Sequence, residues 1–190
     1  MEENVDFDVY QAQIRVIGAG GGGCNTISRL TNMDIKGAET IAINTDAKHL
    51  GITSAHKKIL IGKELTKGLG AGGFPEIGAK AVEESKELIR KALNGCDLLF
   101  LTCGLGGGTG TGALPEIAKM AKEMEITVIS AVTIPFRMEG ARIRKAEDGL
   151  NRLRNYSDTV IVIENQKLIE LAGDKPLREA FGVADTLIST

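Results

Sequence analysis

The sequence predicts an α/β domain, Rossmann-like in its alternation, with a mostly parallel sheet covered by helices on both faces. Short runs of branched aliphatic residues alternate with longer segments whose apolar residues recur every three or four positions. Several short runs, such as Leu98-Leu-Phe-Leu101 and Thr127-Val-Ile-Ser-Ala-Val-Thr133, are apolar on both faces, as strands between two helical layers are. Glycine gathers where such runs end: of 24 glycines, 15 lie within 18–23, 68–73 and 104–112.

In chain order, residues 1–12 read as an acidic, weakly ordered arm, and the domain proper runs from 13 to 175. Ile14-Arg-Val-Ile-Gly18 is a strand, followed by Gly20-Gly-Gly-Gly-Cys-Asn25 and a helix carrying Ile27, Leu30 and Met33. Thr40–Asn44 is the second strand, closed by Asn44-Thr45-Asp46, and Lys58–Gly62 is the third. The loop Gly68-Leu-Gly-Ala-Gly-Gly-Phe-Pro75 delivers one helix from Glu76 to about Leu93, with Ile77, Ala81, Leu88 and Ala92 inward and Gly95 as its stop. The Leu98 strand opens into Gly104–Gly112, after which Leu114, Ile117, Ala118, Ala121 and Met124 mark a helix face. Pro115 then belongs in that helix's first turn, where its missing N–H costs nothing. Thr127–Thr133 is the next strand, followed by Pro135 and a helix from about Glu139 to Arg154 burying Ile143, Ala146, Leu150 and Leu153. Thr159–Ile163 is the last strand, a short helix spans 166–172, and a final helix starts at 176. That helix reaches Ser189-Thr190 with no stop signal, so the expectation is a chain ending inside a helix, before a further domain.

Composition excludes several classes of function. Net charge is −2 with 25% charged residues, which argues against bulk attraction to nucleic acid or to a membrane surface. No apolar run reaches 18 residues, and the acidic opening is no signal peptide, so direct membrane insertion is not expected. Cys24, Cys96 and Cys103 form no C-x-x-C pair and read as reduced thiols of a cytoplasmic protein. His49 and His56 lack partners at ligand spacing and read as surface residues.

The glycine clusters carry the chemistry. A buried strand, a loop without side chains and a helix N-terminus make an anion site, because bare backbone N–H groups crowd a phosphate and the helix end adds positive potential. Thr109 and Thr111 add hydroxyls without bulk. Gly18, Gly20 and Gly23 also satisfy G-x-G-x-x-G, and Asp46 lies 23 residues beyond Gly23, near where a dinucleotide fold places its ribose acid. That keeps a nicotinamide-dependent enzyme as an alternative, although three glycine loops on one sheet edge suit a triphosphate better. G-x-x-x-x-G-K-[ST] does not occur.

Gly106-Gly-Gly108-Thr-Gly110-Thr-Gly112 resembles the tubulin signature G-G-G-T-G-[ST]-G. The fuller set resembles the FtsZ family, the tubulin-like division GTPases of prokaryotes: Gly20–Asn25, Asn44-Thr45-Asp46, Gly68–Gly72, Pro135-Phe136 with Glu139-Gly140, Asn165, and Ala180-Phe181-Gly-Val-Ala-Asp185. The resemblance runs in order from residue 14 to 190. It implies a tubulin/FtsZ-type GTP-binding domain, with residues 176–190 as the start of the family's central helix and the catalytic acids beyond residue 190. GTP or GDP is the implied ligand, with Mg²⁺ accompanying GTP. The family's filaments imply head-to-tail self-association and other division proteins as partners.

By the same resemblance Gly20, Gly21 and Gly22 contact phosphate, with Ala71, Gly72 and Gly73 at the γ end. Gly104 and Gly106, Gly107, Gly108, Thr109 and Gly110 hold the α and β groups. Thr133 and Pro135 flank them, Asn44 closes its strand beside the site, and Glu139 and Arg142 take the ribose. The family spaces that pair E-G-x-x-R, one residue longer than here; Arg142 shares the Glu139 helix face, whereas Arg144 points away. The two also fit a solvated i,i+3 ion pair. Asp46 reads equally as an acid near the metal–water shell of the γ-phosphate or as an Asx-turn cap closing its strand. Asn25, Asn165, Phe181 and Asp185 address the base. Guanine's N1–H and N2–H₂ suit one carboxylate, and Phe181, four residues from Asp185, suits stacking. Core packing for Phe181 and a solvated position for Asp185 are the structural alternatives. A nucleotide-binding regulator that neither polymerises nor hydrolyses fits the same residues.

Overall fold

The structure is a computed structural model that describes residues 11–167. Six parallel strands form one sheet in the order β3-β2-β1-β4-β5-β6, where β1 is Ile14–Ala19, β2 Ala38–Asn44, β3 Lys57–Leu60, β4 Leu98–Gly104, β5 Thr127–Ile134 and β6 Thr159–Glu164. The register sets Ile17 beside Ile41 on one side and Leu101 on the other. The strand order reverses between β1 and β4, so their carboxyl ends diverge there and open the crevice in which doubly wound sheets bind ligands.

Strand alternation feeds two cores. Ile17, Leu99, Leu101, Val128 and Val132 point into a larger cluster with Leu114, Ile117 and Leu153, while Val16 and Ala42 point oppositely, toward Ile27 and Leu30. The second cluster lies under helix α1 (Gly20–Asn32); the first lies under α4 (Pro75–Glu84), α5 (Lys86–Leu93), α6 (Thr109–Glu123) and α7 (Ala141–Arg154). Burying each such aliphatic side chain contributes roughly 1.5–3 kcal/mol, which is why both faces of β1 and β4 must be covered. Two further short helices, α2 (Ala47–Ile52) and α3 (Lys63–Thr66), follow β2 and β3 in the chain and have no counterpart in the sequence reading.

Four expectations change. The helix foreseen over residues 76–93 is two helices, broken at Ser85, whose φ of −103° and ψ of 17° leave the helical region while its hydroxyl accepts the Gly62 N–H. The break resets the helical phase, so Ile89 is buried and Leu88 is exposed. Pro115 sits well inside α6, because the helix begins at Thr109 and the last glycines are its first turn. The 68–73 loop follows α3 and not a strand. Met33, expected on the buried face of α1, is exposed at that helix's C-cap. Residues 165–167 are helical, and the rest of the short helix expected over 166–172 lies outside the described residues. Phe181, Asp185 and the helix at 176–190 lie outside the described residues, as do residues 1–10 of the arm.

Candidate functional site

At the divergence of β1 and β4 a cleft of about 520 Å³ opens, walled by the first turns of α1 and α6. Neither helix carries a side-chain cap or an acidic residue in its first turn. Their leading N–H groups therefore face the cleft without an internal acceptor from a side chain, and both helix ends supply positive potential. The turns pack so closely that bulk is excluded: Gly20 has a φ of +70°, and a Cβ there would stand 2.8 Å from the Gly110 nitrogen. A Cβ on Gly108 would stand 2.8 Å from the Phe74 nitrogen and 2.9 Å from the Ala71 Cβ, so the 70s loop lies directly against the α6 end.

Of the residues singled out in the sequence, Gly20, Gly21, Gly22, Asn25, Gly104, Gly107, Gly108, Thr109, Gly110, Thr133, Pro135, Glu139, Arg142 and Asn165 line this cleft. Gly106 stands behind the wall, its φ of +95° turning the loop while its N–H donates to the Thr111 hydroxyl at 2.9 Å. Ala71, Gly72 and Gly73 do not line the cleft but abut it through Gly108. Asn44 is buried away from it; its Oδ1 accepts the Thr45 N–H at 2.9 Å and the Asp46 N–H at 3.3 Å. Asp46 caps α2, its Oδ1 accepting the His49 N–H at 2.9 Å. His56 is exposed, as expected of a surface residue, with its ring Nδ1 accepting the Thr40 N–H, whereas His49 is half-buried near Asn44.

The mouth carries the polar groups. Glu139 Oε2 accepts from Arg142 at 2.8 Å and Oε1 accepts the Phe136 N–H at 2.9 Å, which fixes the carboxylate while Arg142 stays largely exposed. The Asn165 Oδ1 is buried with no hydrogen-bond partner among the described residues, an acceptor or, with the amide turned, a donor held at the cleft wall. Among the described residues no cluster of three His, Cys, Asp or Glu side chains suits a metal ion. Cys24 and Cys103 stand close to the walls as inert thiols: burial pushes the Cys24 thiol up to about 11 and the Cys103 thiol up further.

Ala19, Thr26, Arg29 and Leu105 also line the cleft and were not singled out in the sequence, whereas Phe136, quoted there with Pro135, lines it without having been given a role. Gly22, Thr26 and Arg29 follow at four- and three-residue spacing on α1, and that helix periodicity was the available signal. Leu105 carried none, being an apolar residue just past the end of a strand.

The chain is similar to the Tubulin/FtsZ family, GTPase domain, over residues 13–173. It is 56% identical over 183 residues to cell division protein FtsZ 1 of Thermococcus kodakarensis, covering 96% of this chain and 49% of that protein. It is 53% identical over 179 residues to cell division protein FtsZ 2 of Methanocaldococcus jannaschii, covering 94% and 47%. The chain thus spans about half the length of the curated relatives it matches. Among solved structures, an empty FtsZ dimer of M. jannaschii aligns with a TM-score of 0.89 at 51% identity, covering 95% of this chain and 53% of that one. A GTPgS-bound protofilament of CetZ2 from Haloferax volcanii aligns with a TM-score of 0.82 at 26% identity, covering 93% and 56%. The fold matches that of these GTPase domains, and the family match over residues 13–173 removes the dinucleotide-enzyme alternative, whose sheet shares the same strand order.

Proposed function

The chain belongs to the tubulin/FtsZ family through its GTPase domain, and from that premise we propose that its cleft binds GTP and GDP for a filament-forming cell-division protein. The observation that carries the reading is the meeting of two uncapped helix N-termini, at Gly20–Gly22 and at Gly107–Gly110, across one cleft at the strand-order reversal. Phosphates lie along these turns, the α and β groups on 107–110 with the Thr109 hydroxyl, and the γ group reaches toward Ala71, Gly72 and Gly73. Glu139 and Arg142, already paired at the mouth, address the ribose. Asn25 and Asn165 address the base, joined by Phe181 and Asp185 from beyond the described residues. Asp46 keeps one carboxylate oxygen on its cap, and it would serve, through water, a Mg²⁺ accompanying GTP.

In this reading residues 13–175 form the nucleotide domain. Head-to-tail self-association at the division site, with hydrolysis at the subunit interface and other division proteins as partners, belongs to the whole protein. The related structures described as an FtsZ dimer and as a GTPgS-bound protofilament support it. For the 190 residues in hand the reading is firm binding with slow turnover. The only carboxylate among the described cleft-lining residues is Glu139, and it is committed to Arg142 and the Phe136 N–H.

Equilibrium titration with GTP, GDP, ATP and NADH tests this. Guanine nucleotides are expected to bind at least about a hundredfold tighter than adenine ones, since the wrong base leaves a buried polar group unpaired. Asp185→Ala removes most of that preference while phosphate-driven binding persists. Equal affinity of the unmodified chain for ATP and GTP overturns the base assignment.

A further inference from the structure

The hydroxyls of Thr45 and Thr109 lie 2.7 Å apart, joining the end of β2 to the first residue of α6. One proton lies between the two oxygens, and burial decides whose it is. Thr45 is 0% exposed, and the Thr109 oxygen is its hydroxyl's sole hydrogen-bond partner among the described residues. Its main-chain carbonyl is already taken by the Gly70 N–H at 3.1 Å and approached by the Thr66 hydroxyl at 3.2 Å, which pins the residue in place. Thr109, in contrast, is 9% exposed and lines the cleft. Were Thr109 the donor, the Thr45 proton would be stranded in a closed interior, the costly case for a hydroxyl. With Thr45 as donor both oxygens are served, and the Thr109 proton is left to turn into the cleft.

We propose that Thr45 is a positioning residue of the anion site: it donates to Thr109, which holds the Thr109 hydroxyl as a donor to a phosphate group of the bound nucleotide. The inference rests on the reading of the cleft as a nucleoside polyphosphate site. It gives the buried Thr45 side chain, which touches no ligand, a selective effect on phosphate and none on the base.

The test compares GDP with guanosine, titrated against the 190-residue chain carrying Thr45→Val, Thr45→Ser, Thr109→Val or the double valine substitution. Thr45→Val is expected to weaken GDP about tenfold, the scale of one hydrogen bond to a charged group, and to leave guanosine unchanged. Thr45→Ser restores GDP binding to within about twofold, and valine at 45 adds less than about twofold once residue 109 is valine, because interacting positions do not add. If the valine variant does not fold, Thr45→Ala takes its place in every comparison. Losses that add in the double variant, a serine variant no better than valine, or an equal loss for guanosine overturn the proposal while the wild-type preference for GDP stands. A wild-type chain that binds GDP no tighter than guanosine instead removes the phosphate reading of the cleft, and this inference with it.

Discussion

The Lys145 ammonium on α7 donates to the Gly73 carbonyl at 2.7 Å, across 72 residues of sequence, and stands 5.4 Å from the centre of the Phe74 ring. One side chain thus ties the 70s loop to the helix that carries Arg142, with the loop also pressed on Gly108. Lys145→Met keeps the stem and removes the donor. The loop keeps the Gly70 N–H on the Thr45 carbonyl but loses this tie to α7, so limited proteolysis within 68–74 accelerates and GTP, whose γ group reaches the loop in the proposed reading, weakens about threefold relative to GDP, the worth of one exposed charged hydrogen bond. Unchanged cleavage and an unchanged GTP/GDP ratio would show that the tie holds nothing.

Gly107 and Gly108 respond differently to a side chain. A Cβ on Gly107 meets nothing within 4 Å, and the residue lines the cleft, so Gly107→Val fills ligand space and abolishes nucleotide binding with the melting temperature kept. Gly108→Val pushes on the Phe74 nitrogen and Ala71, and loses about 1–3 kcal/mol of stability as well. Neither residue has positive φ, so crowding alone is the cause. A thermal melt with a binding titration on each variant separates the two effects.

Gly112 marks where α6 crosses α4. A Cβ there would overlap the Pro75 carbonyl, and backbone on both sides leaves no flexible side chain to move aside. Gly112→Ala is expected to cost about 3 kcal/mol or more, beyond any gain in helix propensity. Urea unfolding gives the value, and a variant as stable as the parent would mean that the helices part freely.

Asp158 closes the junction of α6, β5 and the turn into β6: Oδ1 takes the Lys122 ammonium and Oδ2 the Val128 N–H, both at 2.7 Å. Lys122 foremost, with the Val128 N–H, holds its carboxyl below the usual aspartate range. A lowered folded-state pKa stabilises above the unfolded value, about 3.9, and the contribution is lost as pH falls through the folded value. Asp158→Asn, which keeps an acceptor for Val128, should therefore cost roughly 0.5 kcal/mol at pH 7, because water screens the exposed pair, and less at about pH 3, below the unfolded value. Denaturant midpoints at both pH values read the difference; a penalty undiminished in acid would contradict the assignment.

Cys24, Cys96 and Cys103 are all buried, and burial raises each thiol above its ordinary value. Since the thiolate is the reactive species, an aromatic disulfide reagent at pH 8 should label essentially none of them in the native chain and all 3 after denaturation. Fast native labelling of Cys24 would mean that the α1 turn opens readily.

Periodicity and glycine placement made the alternation of strands and helices legible, because both reflect local rules: a buried strand must be apolar on two faces, and only backbone without side chains lines a crowded turn. Tubulin-type spacing in 106–112 then carried the family, and 14 of the proposed site residues line one cleft. Local rules stop short of contacts made across the chain. Nothing in the spacing of Ser85 announces that its hydroxyl takes the Gly62 N–H and that the helix breaks there, turning Ile89 inward in place of Leu88. Arg29 reaches the cleft through the pitch of α1, Lys145 meets Gly73 through the packing of α7, and Asn44 turns to its own strand end in place of the ligand wall. The direction of the Thr45–Thr109 proton follows from burial, which no residue possesses until the sheet closes over it. The chain's own chemistry determined which groups are available to an anion; tertiary packing decided which of them face it, because exposure and hydrogen-bond partners belong to the folded surface and not to the residue.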